Sequence, residues 1–107
     1  MSEPALDMSE LLDLYKEDAR RMIEAMRDTC RRWNEISAGG TARQELRRMS
    51  HQLRGSGRTY GYHNVSQISK ALEQIMQRLE KHTLSADDRV KRSICDKIER
   101  LALIFQD

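Results

Sequence analysis

The sequence holds one proline, one tryptophan and one phenylalanine in 107 residues, and aromatic residues make up 5% of it. Strands favour β-branched and aromatic side chains, so this scarcity argues against a sheet and for helices. No apolar run reaches the ~18 residues that a membrane-spanning helix requires. The opening MSEPALDMSELLDLYK is acidic and carries no charged-then-apolar leader pattern, which makes the cytoplasm the expected location. Cysteine is scarce as well. Cys30 and Cys95 stand 65 residues apart with no metal-ligand spacing, and in a reducing compartment they read as free thiols, Cys30 on an apolar stripe.

What is present is charge: 34% of the chain, with a net +2 that is unevenly spread. Residues 1–40 hold six bases against nine acids, and residues 63–107 hold eight against seven. Between them, residues 41–62 carry Arg43, Arg47, Arg48, Arg54 and Arg58 against Glu45 alone. The positive charge gathers in the middle of the chain.

The length suits one domain over residues 1–107. Apolar residues keep helical period nearly throughout. Leu12, Tyr15, Ala19, Met22, Ile23, Met26, Cys30 and Trp33 form a first stripe that stops at SAGG, residues 37–40. Thr41, with Gln44 three residues on, reads as a capping box opening a second helix with Leu46, Met49, Leu53 and Tyr60 on its apolar face. Gly61 reads as its stop. Asn64 is the expected cap of a third helix carrying Val65, Ile68, Leu72, Ile75, Met76 and Leu79, with Lys81 and His82 at its negative end. Ser85, followed by Asp88, opens a fourth helix with Val90, Ile94, Ile98, Leu101 and Phe105. Short turns between amphipathic helices imply an all-α, antiparallel up-down four-helix bundle. Residues 5–12 read either as a short extra N-terminal helix or as the start of the first long one.

The most informative stretch is HQLRGSGRTYG, residues 51–61, which holds three of the five glycines. On a helical wheel with Leu46 at zero, His51 falls at about 140°, Arg47 near 100°, Arg54 near 80°, Arg58 near 120° and Gly55 near 180°. The histidine therefore faces solvent among arginines. Each helical glycine costs about 1 kcal/mol relative to alanine, and packing does not explain Gly55 on the solvent side. A bare backbone one turn beyond His51 suits the close approach of something bulky. Gly57, on the apolar side, reads as a packing glycine that admits a neighbouring helix or the ring of Tyr60, and Gly61 is grouped with it.

Neighbouring guanidinium groups favour a neutral imidazole with an available lone pair, and they supply charge-assisted donors for an oxyanion. Phosphoryl transfer suits such a face because it depends mainly on positioning and charge neutralisation. A hydrolytic triad suits it poorly, since an exposed helical face offers no oxyanion hole. On the third helix, Glu73 falls at the margin of the apolar face, about level with His51 in an antiparallel hairpin. It reads either as a solvated rim residue or as an acceptor that fixes the imidazole tautomer.

SHQLRGSGRTYG, followed by a helix containing KALE, resembles the histidine-phosphotransfer (HPt) domain family. The family pattern is His-x-Leu-Lys-Gly-x-Ser/Ala, a glycine ten residues after the histidine and a glutamate or glutamine twelve further on. His51, Leu53, Gly55, Gly61 and Glu73 match it. Arg54 stands where lysine is common, Gly57 replaces the usual serine or alanine, and Arg58 adds a charge. The resemblance implies a four-helix carrier with His51 as phospho-acceptor, Arg54 at the phosphoryl oxygens, Glu73 orienting the ring and Gly55 admitting the partner. Arg47 and Arg58, by their place on the same helical face, are expected to join Arg54 in stabilising the phosphoryl group. The implied partners are a response-regulator receiver domain and a histidine kinase or hybrid kinase. No cofactor or metal is expected on this chain, the magnesium ion belonging to the receiver, and the expected state is a monomer. The sequence has no glycine-rich phosphate loop, Walker motif or kinase ATP-site signature, so it reads as a carrier rather than an enzyme.

Two other readings share the surface features. A helical adaptor could dock a receiver or kinase without being phosphorylated. The arginine-rich second helix could contact nucleic-acid phosphates, although the later helices are near neutral and no aromatic stacking platform is evident. A His/Cys metal site is poorly supported, because His51, His63 and His82 form no ligand spacing with the cysteines or carboxylates.

Overall fold

Asp7 begins the first helix: its carboxylate accepts a hydrogen bond from the Glu10 amide at 2.8 Å, satisfying an otherwise orphaned donor. The computed structural model describes residues 7–106. The helices are α1 (Met8–Arg31), α2 (Trp33–Ala38), α3 (Thr41–Thr59), α4 (His63–Glu80) and α5 (Asp88–Ile104), and no strand occurs among the described residues. The expected all-α class is correct.

An extra helix exists, but after the first long one. Residues 5 and 6 lie outside the described residues, and residues 8–12 are the first turns of α1. The first apolar stripe was expected to run unbroken to SAGG, whereas the chain turns at Arg32 (φ −92°, ψ 50°). Beside the break, the Thr29 hydroxyl bonds back to the Ala25 carbonyl and the Arg32 amide bonds to the Thr29 carbonyl, local bonds that compete with the regular helical pattern. The turn allows α2 to bury Ile36 completely.

Cap positions also differ. Gly40 precedes α3 and no side chain caps it, so the Thr41–Gln44 capping box does not form. Tyr62, without a side-chain cap, precedes α4, while Asn64 lies inside the first turn and accepts from the Val65 amide. At α5 the cap is Asp87, accepting from the Val90 amide at 3.0 Å, instead of Ser85. In each case the observed cap position lies one or two residues from the expected one.

Specific contacts give the helix directions. Gly57 lies against Val65 and Ser66 across the α3–α4 turn, so that pair is antiparallel. Arg27 of α1 holds Glu99 of α5 through two bonds of 2.9 and 2.7 Å, and Arg20 donates to the Phe105 carbonyl at 2.8 Å, so α1 and α5 run oppositely. Tyr15, near the start of α1, stacks on Tyr60 just after α3, with ring centroids 4.5 Å apart. The four long helices thus form an up-down bundle, with α3 and α4 the most extensively packed pair. Met26, Leu46, Leu53, Leu72, Met76 and Ile94 fill its core. Four of the five aromatics are concentrated: Tyr15, Tyr60, Tyr62 and Phe105 pack together where the α3–α4 turn meets the start of α1 and the end of α5.

Candidate functional site

The α3–α4 hairpin sets the site. Gly61, at φ +83°, ends α3 in the left-handed conformation, and the Tyr62 amide reaches back to the Gly57 carbonyl at 2.7 Å. A Cβ on Gly61 would meet nothing within 4 Å, so its expected packing role is incorrect and its role is conformational. Gly57 is the packing glycine. A Cβ there would lie 3.1 Å from the Ser66 nitrogen, the Tyr62 oxygen and Val65 Cγ1, so the start of α4, and not the Tyr60 ring, requires the bare backbone. This contact fixes the register that brings α4 alongside His51.

His51 projects outward with its side chain 70% exposed, while Glu73, opposite it on α4, is only 8% exposed. The carboxylate holds two groups. Glu73 Oε1 lies 2.8 Å from His51 Nδ1, and Oε2 accepts from an Arg54 guanidinium nitrogen at 3.0 Å. Burial pushes the Glu73 carboxyl up, but the hydrogen bonds from His51 and Arg54 more than reverse this and hold it below its ordinary value. An ionised carboxylate only accepts, so Nδ1 is the protonated ring nitrogen and Nε2 faces solvent. Of the two readings of Glu73, the sheltered acceptor is the one observed.

Because this carboxyl titrates lower in the folded chain than in the unfolded one, its pairing stabilises the bundle above the unfolded value. That stabilisation is lost as pH falls through the folded value. Arg54→Ala removes one of the two opposing donors, so the Glu73 midpoint should move up and acid-induced loss should begin at higher pH. A carboxyl ¹³C NMR titration measures this directly, and an unchanged midpoint would contradict the pairing.

Around this pair, Arg47 precedes His51 by one helical turn and Arg58 follows it by two, both exposed and without an ion pair among the described residues. Gly55 is exposed, and a Cβ on it would meet nothing within 4 Å, so nothing in the fold requires a glycine there. Arg43 departs from the expected basic cluster. It is buried, donating to the Ile36 and Ser37 carbonyls at 2.9 and 3.0 Å and facing Glu80 at 3.5 Å, and it closes the end of α2. Sequence reasoning also missed that Arg54 binds Glu73 directly. The signal was available, since both residues fall near 80° on their respective wheels and so line the same seam.

The arrangement offers one exposed imidazole nitrogen, a sheltered carboxylate behind the ring and guanidinium groups beside it. No curated protein and no solved structure matches the chain. The model of the Hpt domain family matches residues 10–103, spanning all five helices. By that match the chain belongs to the Hpt domain family, the phosphocarrier modules of two-component signalling that interact with kinases and receiver domains.

Proposed function

We propose that residues 1–107 act as a single, monomeric cytoplasmic carrier in a multistep phosphorelay, taking a phosphoryl group on His51 from a receiver aspartate or a histidine kinase and passing it to another receiver. The observation that carries this reading is the pairing of His51 Nδ1 with the sheltered Glu73 carboxylate, which leaves Nε2 directed at solvent. In the transfer, the Nε2 lone pair attacks phosphorus and the bond to the aspartyl oxygen breaks, the carboxylate leaving. The ring becomes a phospho-imidazolium whose Nδ1–H remains on Glu73, so the carboxylate opposes the new positive charge. Arg54, Arg47 and Arg58 neutralise phosphoryl oxygens, and Gly55 gives the partner close access to the backbone.

Magnesium belongs to the receiver in this reading, where it offsets charge at the aspartate, and this chain holds no cofactor or ATP site of its own. The basic face complements a receiver's acidic centre, so association should be brief and weaken with salt. Neither nucleic acid nor membrane enters the scheme. The test is incubation with a panel of receiver domains carrying labelled aspartyl phosphate, with magnesium present. Transfer of acid-labile, base-stable label to this chain supports the reading, and receiver binding without transfer moves the adaptor ahead.

Glu73 acts here as a positioning residue. Glu73→Ala should slow phosphoryl acceptance by about 10–100-fold with little change in receiver affinity. Glu73→Gln, whose amide oxygen still accepts from Nδ1, should recover part of that loss. A purely structural role predicts no such rescue at equal stability.

A further inference from the structure

Although 65 residues apart in sequence, Cys30 and Cys95 are brought together by the bundle. Cys30 lies in the last turn of α1 and Cys95 in the second turn of α5, with their sulfurs 2.7 Å apart and both present as free thiols. A disulfide sets its sulfurs about 2.05 Å apart, so small side-chain adjustments complete the approach. The two thiols are not equivalent. Both border an open groove lined also by Arg27, Arg31, Lys91, Ile98 and Glu99, but Cys30 is buried whereas Cys95 is only half-buried and is the more accessible of the two. Burial and then the contact with Cys95 push the Cys30 thiol up, which disfavours its thiolate and makes it the poorer first nucleophile.

The groove has a chemical preference. Three cationic side chains line it against one carboxylate; Arg27 and Glu99 hold each other and Arg31 pairs with Asp28, so Lys91 supplies the remaining positive charge. An anionic reagent is therefore favoured over a cationic one. We propose that Cys30 and Cys95 form a reversible thiol–disulfide site that reacts with small anionic disulfides of the glutathione type, Cys95 attacking and Cys30 resolving. In the first step Cys95 loses its proton and its sulfur attacks one sulfur of the small disulfide. The disulfide bond breaks, one thiolate leaves with the proton, and Cys95 carries a mixed disulfide. In the second step Cys30 loses its proton and attacks Cys95 Sγ, expelling the second small thiol. Two protein thiols are oxidised and one disulfide is reduced to two thiols. Proximity makes the second step effectively intramolecular, which offsets the low thiolate fraction of Cys30.

The bridge would tie the end of α1 to α5 and close a loop containing α3 and α4, constraining the unfolded chain. The experiment exposes the intact protein to glutathione disulfide and follows intact mass, free thiols and melting temperature. Free thiols should fall from two to none without a retained adduct, the melting temperature should rise by at least about 5 °C, and dithiothreitol should reverse both. Cys30→Ser should stop as a glutathione adduct at Cys95, and Cys95→Ser should remain unmodified under the same conditions. A stable adduct on the wild type, a disulfide between two chains, preferential labelling of Cys30 or no reaction at all would overturn the proposal. Peptide mapping of the wild type gives the order of attack even if a serine variant folds poorly.

Discussion

His51→Gln should fold as the parent does and accept no phosphoryl group from any donor. The side chain is largely exposed and contributes nothing to the core, so its loss creates no cavity. The glutamine amide can still donate to Glu73, which keeps the sheltered carboxylate from losing one of its two partners. Melting temperature and circular dichroism should therefore be unchanged within about 1 kcal/mol of stability, while transfer falls to background. Receiver binding should persist, because Arg47, Arg54, Arg58 and Gly55 remain. A receiver complex that retains full biological output without His51 would favour the adaptor reading. An affinity for RNA or DNA that is unaffected by this change, with output abolished, would separate any nucleic-acid binding from the function.

Gly57→Val should give the largest loss of stability of any change near the site, about 3 kcal/mol or more. The first added carbon alone would lie 3.1 Å from two backbone atoms, the Ser66 nitrogen and the Tyr62 oxygen. Those atoms are bonded to each other at 3.1 Å, and the Tyr62 amide is bonded to the Gly57 carbonyl, so neither can move aside cheaply. Valine adds two methyls and a stiff side chain to that clash. Against a total stability of about 5–15 kcal/mol, the variant should melt markedly earlier in urea or heat, and α4 should shift relative to His51. Gly55→Ala, two residues away in the same helix, is the control. Its Cβ enters open space, so stability should rise by up to about 1 kcal/mol. If the bare backbone serves partner access, transfer should slow in that variant even as stability increases.

The contrast between these glycines shows what the sequence carried and what it did not. Wheel positions separate Gly55 on the solvent side from Gly57 on the core side, because helical period is a local property. They do not say what fills the space above Gly57. That depends on the α3–α4 turn, in which Gly61 supplies a left-handed residue and Tyr62 reaches back to Gly57. The apolar stripes identified the four long helices for the same local reason, and their central residues are the buried ones. Helix ends were less legible: several adjacent residues could cap, and tertiary packing selected Asp87 over Ser85 and left Thr41 unused.

At the site, the outward direction of His51 and the margin position of Glu73 were visible on the wheels. The bond from Arg54 to Glu73 required two helices at a known register. Arg43 shows the opposite failure. Its charge suggested a place in the exposed basic cluster, whereas the Ile36 and Ser37 carbonyls at the end of α2 and the Glu80 carboxylate at the end of α4 draw it inside. The cysteine pair was invisible for a similar reason, since the antiparallel packing of α1 on α5 alone brings residues 30 and 95 together.

The most direct measurement is the nitrogen on which phosphate resides. After transfer from a phosphorylated receiver, long-range ¹H–¹⁵N NMR of the His51 ring distinguishes the two nitrogens. Phosphorus should reside on Nε2, with the Nδ1 proton retained and still bonded to Glu73. Phosphate on Nδ1, or on any residue other than His51, would contradict this assignment.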